Sequence, residues 1–308
     1  MISQYFTQRI LTFLFYTQQR QSDMKGCNDW REMMKRFIFG LLGFVVVWIV
    51  GLAPQFLAYW HVSAVIIFAL EGGLSMAGYL LYVRVVENRF ALELSRFRIA
   101  LLPLGILVGM VWFGLLIAML YVGGHYQIDR LAFPNRLLSA VIFAMGTAIW
   151  EEVTFRGLLF RVTEQTLGTW VGVAVSAVAF GALHGLNPNA SLAASVAIVL
   201  ESGILLAAAY FATRTLWLPI GLHFGWNFAE DFIFGVRISG HAARPAIVEG
   251  TMSGSPLWTG GAYGPESSIW AIGMAAILSA VLIAIAIRRR EIVPFMPNRK
   301  RKLAATVS

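Results

Sequence analysis

Apolar stretches of about 20 residues recur along most of this 308-residue sequence. Stretches of this length match the ~30 Å hydrocarbon core of a bilayer when they are helical. Lipid offers the backbone no hydrogen-bond partners, so a spanning segment outside a closed barrel must be an α-helix. The sequence therefore predicts an all-α fold, a polytopic membrane helix bundle with about eight transmembrane helices. These spans are predicted at residues 37–53, 61–83, 100–122, 136–160, 169–186, 190–212, 217–236 and 268–287.

Charge placement predicts how the bundle is oriented. Only 13% of the residues are charged, against about 25% in a soluble domain. Most of the 24 Lys and Arg residues fall in tails and connections that eight spans would put on one side of the membrane. Because cytoplasmic segments of membrane proteins are enriched in Lys and Arg, we expect both termini in the cytoplasm. The basic residues assigned to the outside are Arg130, Arg136, Arg237 and Arg244.

The chain divides into three parts by composition. We predict an N-terminal cytoplasmic segment over residues 1–36, a membrane domain over 37–287 and a basic cytoplasmic tail over 288–308. The only cysteine, Cys27, lies before the first span and excludes an intrachain disulfide. Basic residues beside a bilayer most simply contact anionic lipid, so no nucleic-acid partner is expected. The Gly-, Ser- and Pro-rich connection 237–267 is either a plain loop or a lid that docks substrate.

Two adjacent carboxylates and an arginine interrupt the predicted span 136–160. Ionisable groups at such depth are costly, so they indicate a functional site. Glu152 and Arg156 are four residues apart and share one helix face, which favours an ion pair. Glu151 lies about 100° away on the helix and need not share that arginine. We therefore expect Glu152 and Arg156 to neutralise each other and Glu151 to be free for chemistry.

A helical hairpin brings a histidine to the level of Glu151. Gly168 marks the turn between two spans, with Glu151 17 residues before it and His184 16 residues after it. In an antiparallel hairpin both side chains lie about 25 Å from the turn. Phe180, four residues before His184, shares its face and packs the imidazole or a substrate side chain. The spacing allows a direct or water-bridged contact between the carboxylate and the imidazole.

The predicted span 217–236 adds His223 and Asn227, four residues apart on one face. An imidazole and an amide on one stripe offer two hydrogen-bond donors to a developing oxyanion. Glu71 and Glu201 are buried acids with no evident basic partner, for which we expect structural hydrogen bonds, with Glu201 a weaker candidate for a cavity wall. Glu230 and Asp231 lie at the end of the same span, and we expect both carboxylates to be solvated.

Three short motifs occur in order on these adjacent spans. They are Glu-Glu-x-x-x-Arg, Phe-x-x-x-His and His-x-x-x-Asn, formed by Glu151, Glu152, Arg156, Phe180, His184, His223 and Asn227. Together they resemble the CPBP family, the CAAX protease and bacteriocin-processing (Abi) intramembrane peptidases, over a core at residues 136–236. The segment Gly261 to Glu266 is also similar to a loop in a bacterial branch of that family.

The resemblance implies a glutamate-dependent intramembrane endopeptidase. In that reading Glu151 and His184 activate water, His223 and Asn227 stabilise the oxyanion, and Glu152, Arg156 and Phe180 support them. No cofactor is favoured, but zinc stays an alternative with Glu151, His184 and His223 as its ligands. The implied partners are a membrane-associated peptide or protein substrate and the lipid bilayer, and the implied location is a bacterial cytoplasmic (inner) membrane.

Two other functions are compatible with the same residues. A proton-coupled transporter also buries Glu and His, although internal repeats and broken helices are not evident in this sequence. A non-catalytic membrane protein, such as a bacteriocin-immunity protein, could keep the residues for structure. The complete set of motif residues favours the peptidase.

Overall fold

Long helices make up most of residues 30–295, the part of the chain that the computed structural model describes. Tails that carry Cys27 and the basic residues 299–302 lie outside the described residues. The helices are α1 (Trp30–Leu52), α2 (Ala64–Val85), α3 (Leu101–Val122), α4 (Leu137–Leu167), α5 (Thr169–His184), α6 (Leu192–Thr213), α7 (Trp217–Phe228), the single turn α8 (Pro256–Thr259) and α9 (Ile269–Arg288).

Six helices among the described residues are long and apolar enough to cross a membrane. They are α1 with the 3-10 turn after it, α2, α3, α4, α6 and α9. Two predicted spans are shorter helices: α5 has 16 residues, and α7 has 12 before a π-helical turn, Ala229–Ile233. These two helices carry His184, His223 and Asn227. The chain is thus an integral, multi-pass membrane protein built as a helical bundle, as predicted, while the number of crossings and the orientation of the termini stay predictions.

Helices α3 and α7 pack closely through glycines. A Cβ atom on Gly105 or Gly109 of α3 would lie 2.6 or 2.3 Å from a backbone oxygen of α7. Gly221 and Gly225 of α7 approach α3 in the same way, at 2.3 and 2.2 Å. Each pair has a Gly-x-x-x-Gly spacing, which in lipid lets two helix backbones touch. This contact holds the helix that carries His223 against the bundle.

A small sheet accompanies the helices, which the all-α prediction did not include. Strand β1 (Tyr126–Leu131) pairs antiparallel with β2 (Val248–Met252), and the register shifts between Ile128 and Arg130. Strand β2 lies in the connection 237–267, which then returns to the bundle. Tyr263 of this connection is buried, and its carbonyl accepts a hydrogen bond from Gly240 N–H at 2.7 Å.

Glu230 and Asp231 are buried, so the expectation that they are solvated is wrong. Arg136 donates to the Asp231 carboxylate at 2.7 Å, and Arg244 donates to its other oxygen at 2.7 Å. Two arginines from distant segments therefore compensate the buried charge. Glu230 is enclosed without an arginine partner, and its carboxyl group forms a hydrogen bond with the carboxyl group of Glu266.

The opposite end of the bundle carries a layer of ion pairs. The Glu93 carboxylate binds Arg89 at 2.8 Å and accepts a hydrogen bond from the Tyr79 hydroxyl. Arg161 of α4 pairs with Glu87 at 2.6 Å. These contacts lie between the ends of helices and in the connection 86–100, where they fix α4 against α2.

Candidate active site

A cavity opens between α3, α5, α6 and α7. The motif residues Phe180, His184, His223 and Asn227 line it, although they come from two helices. Glu201 of α6 also lines the cavity, as does Glu266 from the connection after β2. The folded chain thus brings the residues of the second and third motifs to one cavity inside the bundle.

Glu152 and Arg156 form the ion pair that their spacing predicts. Arg156 Nη1 lies 2.8 Å from Glu152 Oε1, and neither side chain is exposed. The guanidinium also donates to the carbonyl oxygens of Ser202 and Gly203, at 3.1 and 3.3 Å, and lies 4.5 Å from the centre of the Phe180 ring. A buried charge is tolerated when it is paired and hydrogen-bonded in this way. The arginine therefore links α4 to α6 and α5.

The Glu152 carboxylate also binds His223, a contact that sequence spacing did not predict. His223 Nδ1 lies 3.0 Å from Glu152 Oε1, the same oxygen that binds Arg156. Because a carboxylate only accepts hydrogen bonds, Nδ1 carries the proton and Nε2 faces the site. His223 Nε2 is 3.8 Å from Glu151 Oε2. Glu152 thus sets the orientation of the imidazole as well as neutralising Arg156.

His184 is held by the backbone of its own helix. Its Nδ1 lies 2.9 Å from the carbonyl oxygen of Phe180, one turn earlier. That carbonyl accepts the Nδ1 proton, so Nε2 again faces the site, 4.0 Å from Glu151 Oε2. The Phe180 ring packs against the imidazole with the ring centres 4.4 Å apart. The ring contact is the one that the shared face predicts, whereas the contact of the Phe180 carbonyl was not predicted.

Glu151 lies between the two imidazoles. Its side chain is buried, and Oε2 has no hydrogen-bond partner. Distances of 4.0 and 3.8 Å to the two Nε2 atoms are too long for direct hydrogen bonds. They suit contacts bridged by a water molecule. The carboxylate is accordingly free of the neighbouring arginine, as the helical geometry predicts.

Three π-helical segments lie beside the polar residues. They cover Val153–Phe160 in α4, Val199–Gly203 in α6 and Ala229–Ile233 after α7. A π-helical turn inserts an extra residue and changes which side chains face inward, and such turns occur often at functional sites. They place Arg156, Glu201 and Glu230 towards the interior, and no simple pattern in the sequence predicts them.

Sequence reasoning missed Glu266 and Ser239, which come from the connection 237–267 and line the cavity. A signal was present in the segment Gly260 to Glu266. Gly260, Gly261 and Gly264 all have positive φ angles, which glycine adopts without strain. This backbone folds the connection back into the bundle and buries Glu266. The connection is therefore part of the cavity wall.

The three residues named as zinc ligands supply suitable donor atoms, two imidazole nitrogens and a carboxylate. Over residues 30–295, however, no group of three or more His, Cys, Asp or Glu side chains has an arrangement that could hold a metal ion. Zinc therefore stays an alternative on the chemistry of these donor atoms alone, and no step below is routed through a metal.

Comparisons with known proteins give one match. Residues 133–229 match the family model described as type II CAAX prenyl endopeptidase Rce1-like. No curated protein and no solved structure matches the chain. The matched segment contains all three motifs, and it confirms the resemblance to the CPBP and CAAX protease family. It supports a protease, and hence a hydrolase, that acts on a membrane-associated substrate.

Proposed function

We propose that this protein is an intramembrane endopeptidase in which Glu151 and His184 activate a water molecule and His223 and Asn227 stabilise the oxyanion. One observation carries the proposal: a buried carboxylate faces the Nε2 atoms of two imidazoles, and both imidazoles are fixed through Nδ1. The substrate is a peptide bond of a membrane-associated peptide or protein, consistent with the family match.

The first step is activation of water. A water molecule between Glu151 Oε2 and His184 Nε2 can donate one hydrogen bond to each, because both atoms are acceptors. As the water oxygen attacks the peptide carbonyl carbon, the carboxylate removes its proton, which is general base catalysis. Phe180 keeps the imidazole in place through its carbonyl oxygen, 2.9 Å from Nδ1.

The second step places negative charge on the carbonyl oxygen. Asn227 lines the cavity one turn after His223 and can donate its amide N–H to this oxygen. His223 can donate from Nε2 only in its protonated form, since Nδ1–H is bonded to Glu152. A carboxylate on the far side of an imidazole stabilises such an imidazolium, as in the Ser-His-Asp triad. Glu152 thereby supports a His223 imidazolium that is protonated before the attack and keeps its proton throughout the reaction.

The last step breaks the C–N bond. The proton that Glu151 took from water passes to the leaving amine nitrogen, so that the carboxylate is regenerated. The products are a new carboxyl terminus and a new amino terminus, and no other reactant is needed.

Zinc remains the alternative cofactor, with Glu151, His184 and His223 as the residues that would hold it. We place the protein in a bacterial cytoplasmic membrane.

A second candidate function is proton-coupled transport. It is favoured by four buried carboxyl groups that could relay protons through the bundle, those of Glu151, Glu201, Glu230 and Glu266. A non-catalytic role, as in bacteriocin immunity, is the third. Uptake of a solute by protein-containing liposomes would identify the transporter.

A membrane-peptide library tests the proposal. Purified full-length protein is incubated with the library in proteoliposomes, and new termini are identified by mass spectrometry, for the wild type, Glu151→Gln and His184→Ala. We expect cleavage by the wild type and loss of it in both variants. Equal cleavage by all three proteins would show that the assignment is wrong. Adding a chelator tests for a metal. Activity that the chelator abolishes and zinc restores would show that the metal-free mechanism is wrong.

A further inference from the structure

We infer that the turn at residues 238–241, the lid turn, closes one end of the cavity and must lift for a peptide to enter. The inference rests on the proposed peptidase function, because it describes how a substrate reaches that site. It concerns the connection 237–267, which the sequence leaves open as either a plain loop or a lid.

The reactive groups of the proposed site are enclosed. The exposed fractions of the Glu151, His184 and His223 side chains are 8%, 12% and 9%. Openings this small admit a water molecule but not a polypeptide backbone. Part of the cavity wall therefore has to move during each turnover, as lids and loops do in many enzymes.

The lid turn lies at the end of the cavity where α5 stops. Ser239 lines the cavity, and Gly240 packs against the turn that follows α5, where a Cβ atom on Gly240 would overlap the Pro188 carbonyl oxygen. Asn189 of the same turn donates from Nδ2 to the Gly240 carbonyl oxygen at 2.8 Å. Because α5 ends at His184, the lid turn joins the cavity wall to the segment directly after this histidine.

The lid turn is a compact two-residue turn. His241 N–H donates to the Ile238 carbonyl oxygen at 2.8 Å, and the residues between them, Ser239 and Gly240, both have positive φ angles. Ser239 is thus a non-glycine residue in the left-handed region, a conformation that costs energy and needs support from its surroundings. Residues of this kind cluster at ligand clamps and switch regions. The backbone therefore suits a segment that moves as one unit.

The flanking residues let the lid turn move while the rest of the connection stays in place. Gly235, before the turn, has a positive φ angle that glycine adopts without strain, so it can act as a hinge. Arg244, after the turn, is fixed to the Asp231 carboxylate at 2.7 Å. Burial of Ile238 and the hydrogen bonds of the Gly240 backbone favour the closed position. A segment held in this way opens at a lower cost in free energy than a packed helix.

Two variants weaken the closed position, and each has a matched control. Asn189→Gly removes the hydrogen bond to Gly240 at a position where φ is already positive, and Asn88→Gly makes the same change at an exposed asparagine in another turn. Gly240→Ala forces the lid turn away from Pro188. Its control is Gly124→Ala, which has a similar positive φ but whose Cβ would meet nothing within 4 Å. Each pair shares the backbone change and differs in the contact of the lid turn.

Thiol modification measures the opening without catalysis. Full-length protein in lipid nanodiscs carries Ser202→Cys, a position that lines the cavity, and Cys27→Ser, which removes the native thiol. The rate of reaction with a charged, water-soluble thiol reagent reports how often the cavity is open. We expect Asn189→Gly to raise this rate about fivefold, as the loss of one hydrogen bond allows, and Gly240→Ala to raise it at least as much. Both controls should leave it unchanged, and Asn189→Gly decides the outcome if Gly240→Ala fails to fold.

Cleavage of a membrane peptide measures what the opening does. Because substrate binds the open form, a larger open fraction lowers the apparent dissociation constant in proportion. We expect Asn189→Gly to lower KM about fivefold without raising kcat, and Asn88→Gly to match the wild type.

The two measurements separate the lid turn from the chemistry. Equal labelling rates in the variants and their controls would overturn the lid and leave the peptidase standing. Faster labelling with an unchanged KM would overturn the role of the lid turn in substrate entry. Faster labelling in Asn189→Gly, with no cleavage of any membrane peptide by the wild type, would support the lid and overturn the peptidase.

Discussion

At the scale of single residues, one oxygen of Glu152 serves two partners. Arg156 and His223 both bind Oε1, at 2.8 and 3.0 Å. The carboxylate therefore compensates a buried guanidinium and also orients an imidazole that faces Glu151. Such a charge is costly to leave unpaired, because removing one member of a buried ion pair destabilises the protein by about 3–5 kcal/mol.

Arg156→Met tests this pairing. We expect the variant to lower the free energy of unfolding by about 3–5 kcal/mol, because Glu152 is left buried with only His223 as a partner. The double variant Glu152→Gln/Arg156→Met removes both charges and should recover part of that loss. Reversible unfolding in mixed detergent micelles measures both. Additive losses in the double variant would contradict the coupling.

Spacing predicts only part of this residue-level arrangement. The Glu152–Arg156 pair follows from two residues four apart on one helix, so the sequence is sufficient to predict it. The contact between Glu152 and His223 joins α4 and α7 and depends on how the helices pack. No local pattern contains that information. The same reason explains why the arginines that bind Asp231 were not foreseen.

At the scale of helices, the contact between α3 and α7 decides where His223 and Asn227 lie. The four glycines at this contact let the backbones touch, and a Cβ on Gly225 would lie 2.2 Å from the Ile106 carbonyl oxygen. Neither backbone can move aside without shifting its whole helix. The position of the proposed oxyanion donors therefore depends on residues that make no contact with substrate.

Gly225→Ala should separate α3 from α7. We expect it to destabilise the fold by about 1–3 kcal/mol, as overpacking does, and to lower kcat by displacing His223. Gly273→Ala is the matched control, since a Cβ there meets nothing within 4 Å in α9. That variant should unfold no more easily than the wild type. Equal stability and activity of the two variants would argue against a packing role for Gly225.

Helix positions were largely predictable, whereas helix ends and irregular turns were not. An apolar run of about 20 residues has few alternatives in lipid, so α2, α3 and α9 begin and end close to the predicted residues. Helix α4 runs seven residues past its predicted end, because Arg161 and its partner Glu87 stabilise a polar extension. The two strands were not predicted, because they are short and pair across a long separation in the chain. The predicted termini in the cytoplasm stay a prediction.

At the scale of the whole molecule, the two ends of the bundle differ in chemistry. One end carries the sheet and the connection that reaches into the cavity. The other carries the ion pairs of Glu87, Glu93 and Arg161. The polar groups at this second end hold helices together at the edge of the bundle rather than lining the cavity. Acid should therefore weaken the fold through that end.

The carboxyl group of Glu93 is the group to which we assign this pH dependence of stability. Burial alone would raise its pKa, but the charge and hydrogen bonds of Arg89, the charge of Arg161 and the hydrogen bond from Tyr79 together outweigh burial and hold the pKa at about 2. A carboxyl whose pKa is lowered by folding stabilises the protein above its unfolded pKa, and that stability is lost as the pH falls towards 2. We expect wild-type unfolding to become easier from about pH 5 downward. In Glu93→Gln, which should be less stable near neutral pH, the dependence should be weaker, and an unchanged slope would contradict the assignment.

The most direct test of the account compares two buried glutamates. Glu71 is as buried as Glu151, but Gln55 and Thr147 donate hydrogen bonds to it, whereas Glu151 Oε2 has no donor and lies 4.0 and 3.8 Å from the two imidazole Nε2 atoms. The measurement is kcat and KM for one membrane peptide that the wild type cleaves, in wild-type, Glu151→Gln and Glu71→Gln protein of equal folded content. We predict that Glu151→Gln lowers kcat by at least about 10³-fold with little change in KM, whereas Glu71→Gln retains most activity. A Glu151→Gln protein that cleaves within about tenfold of the wild type would contradict the account.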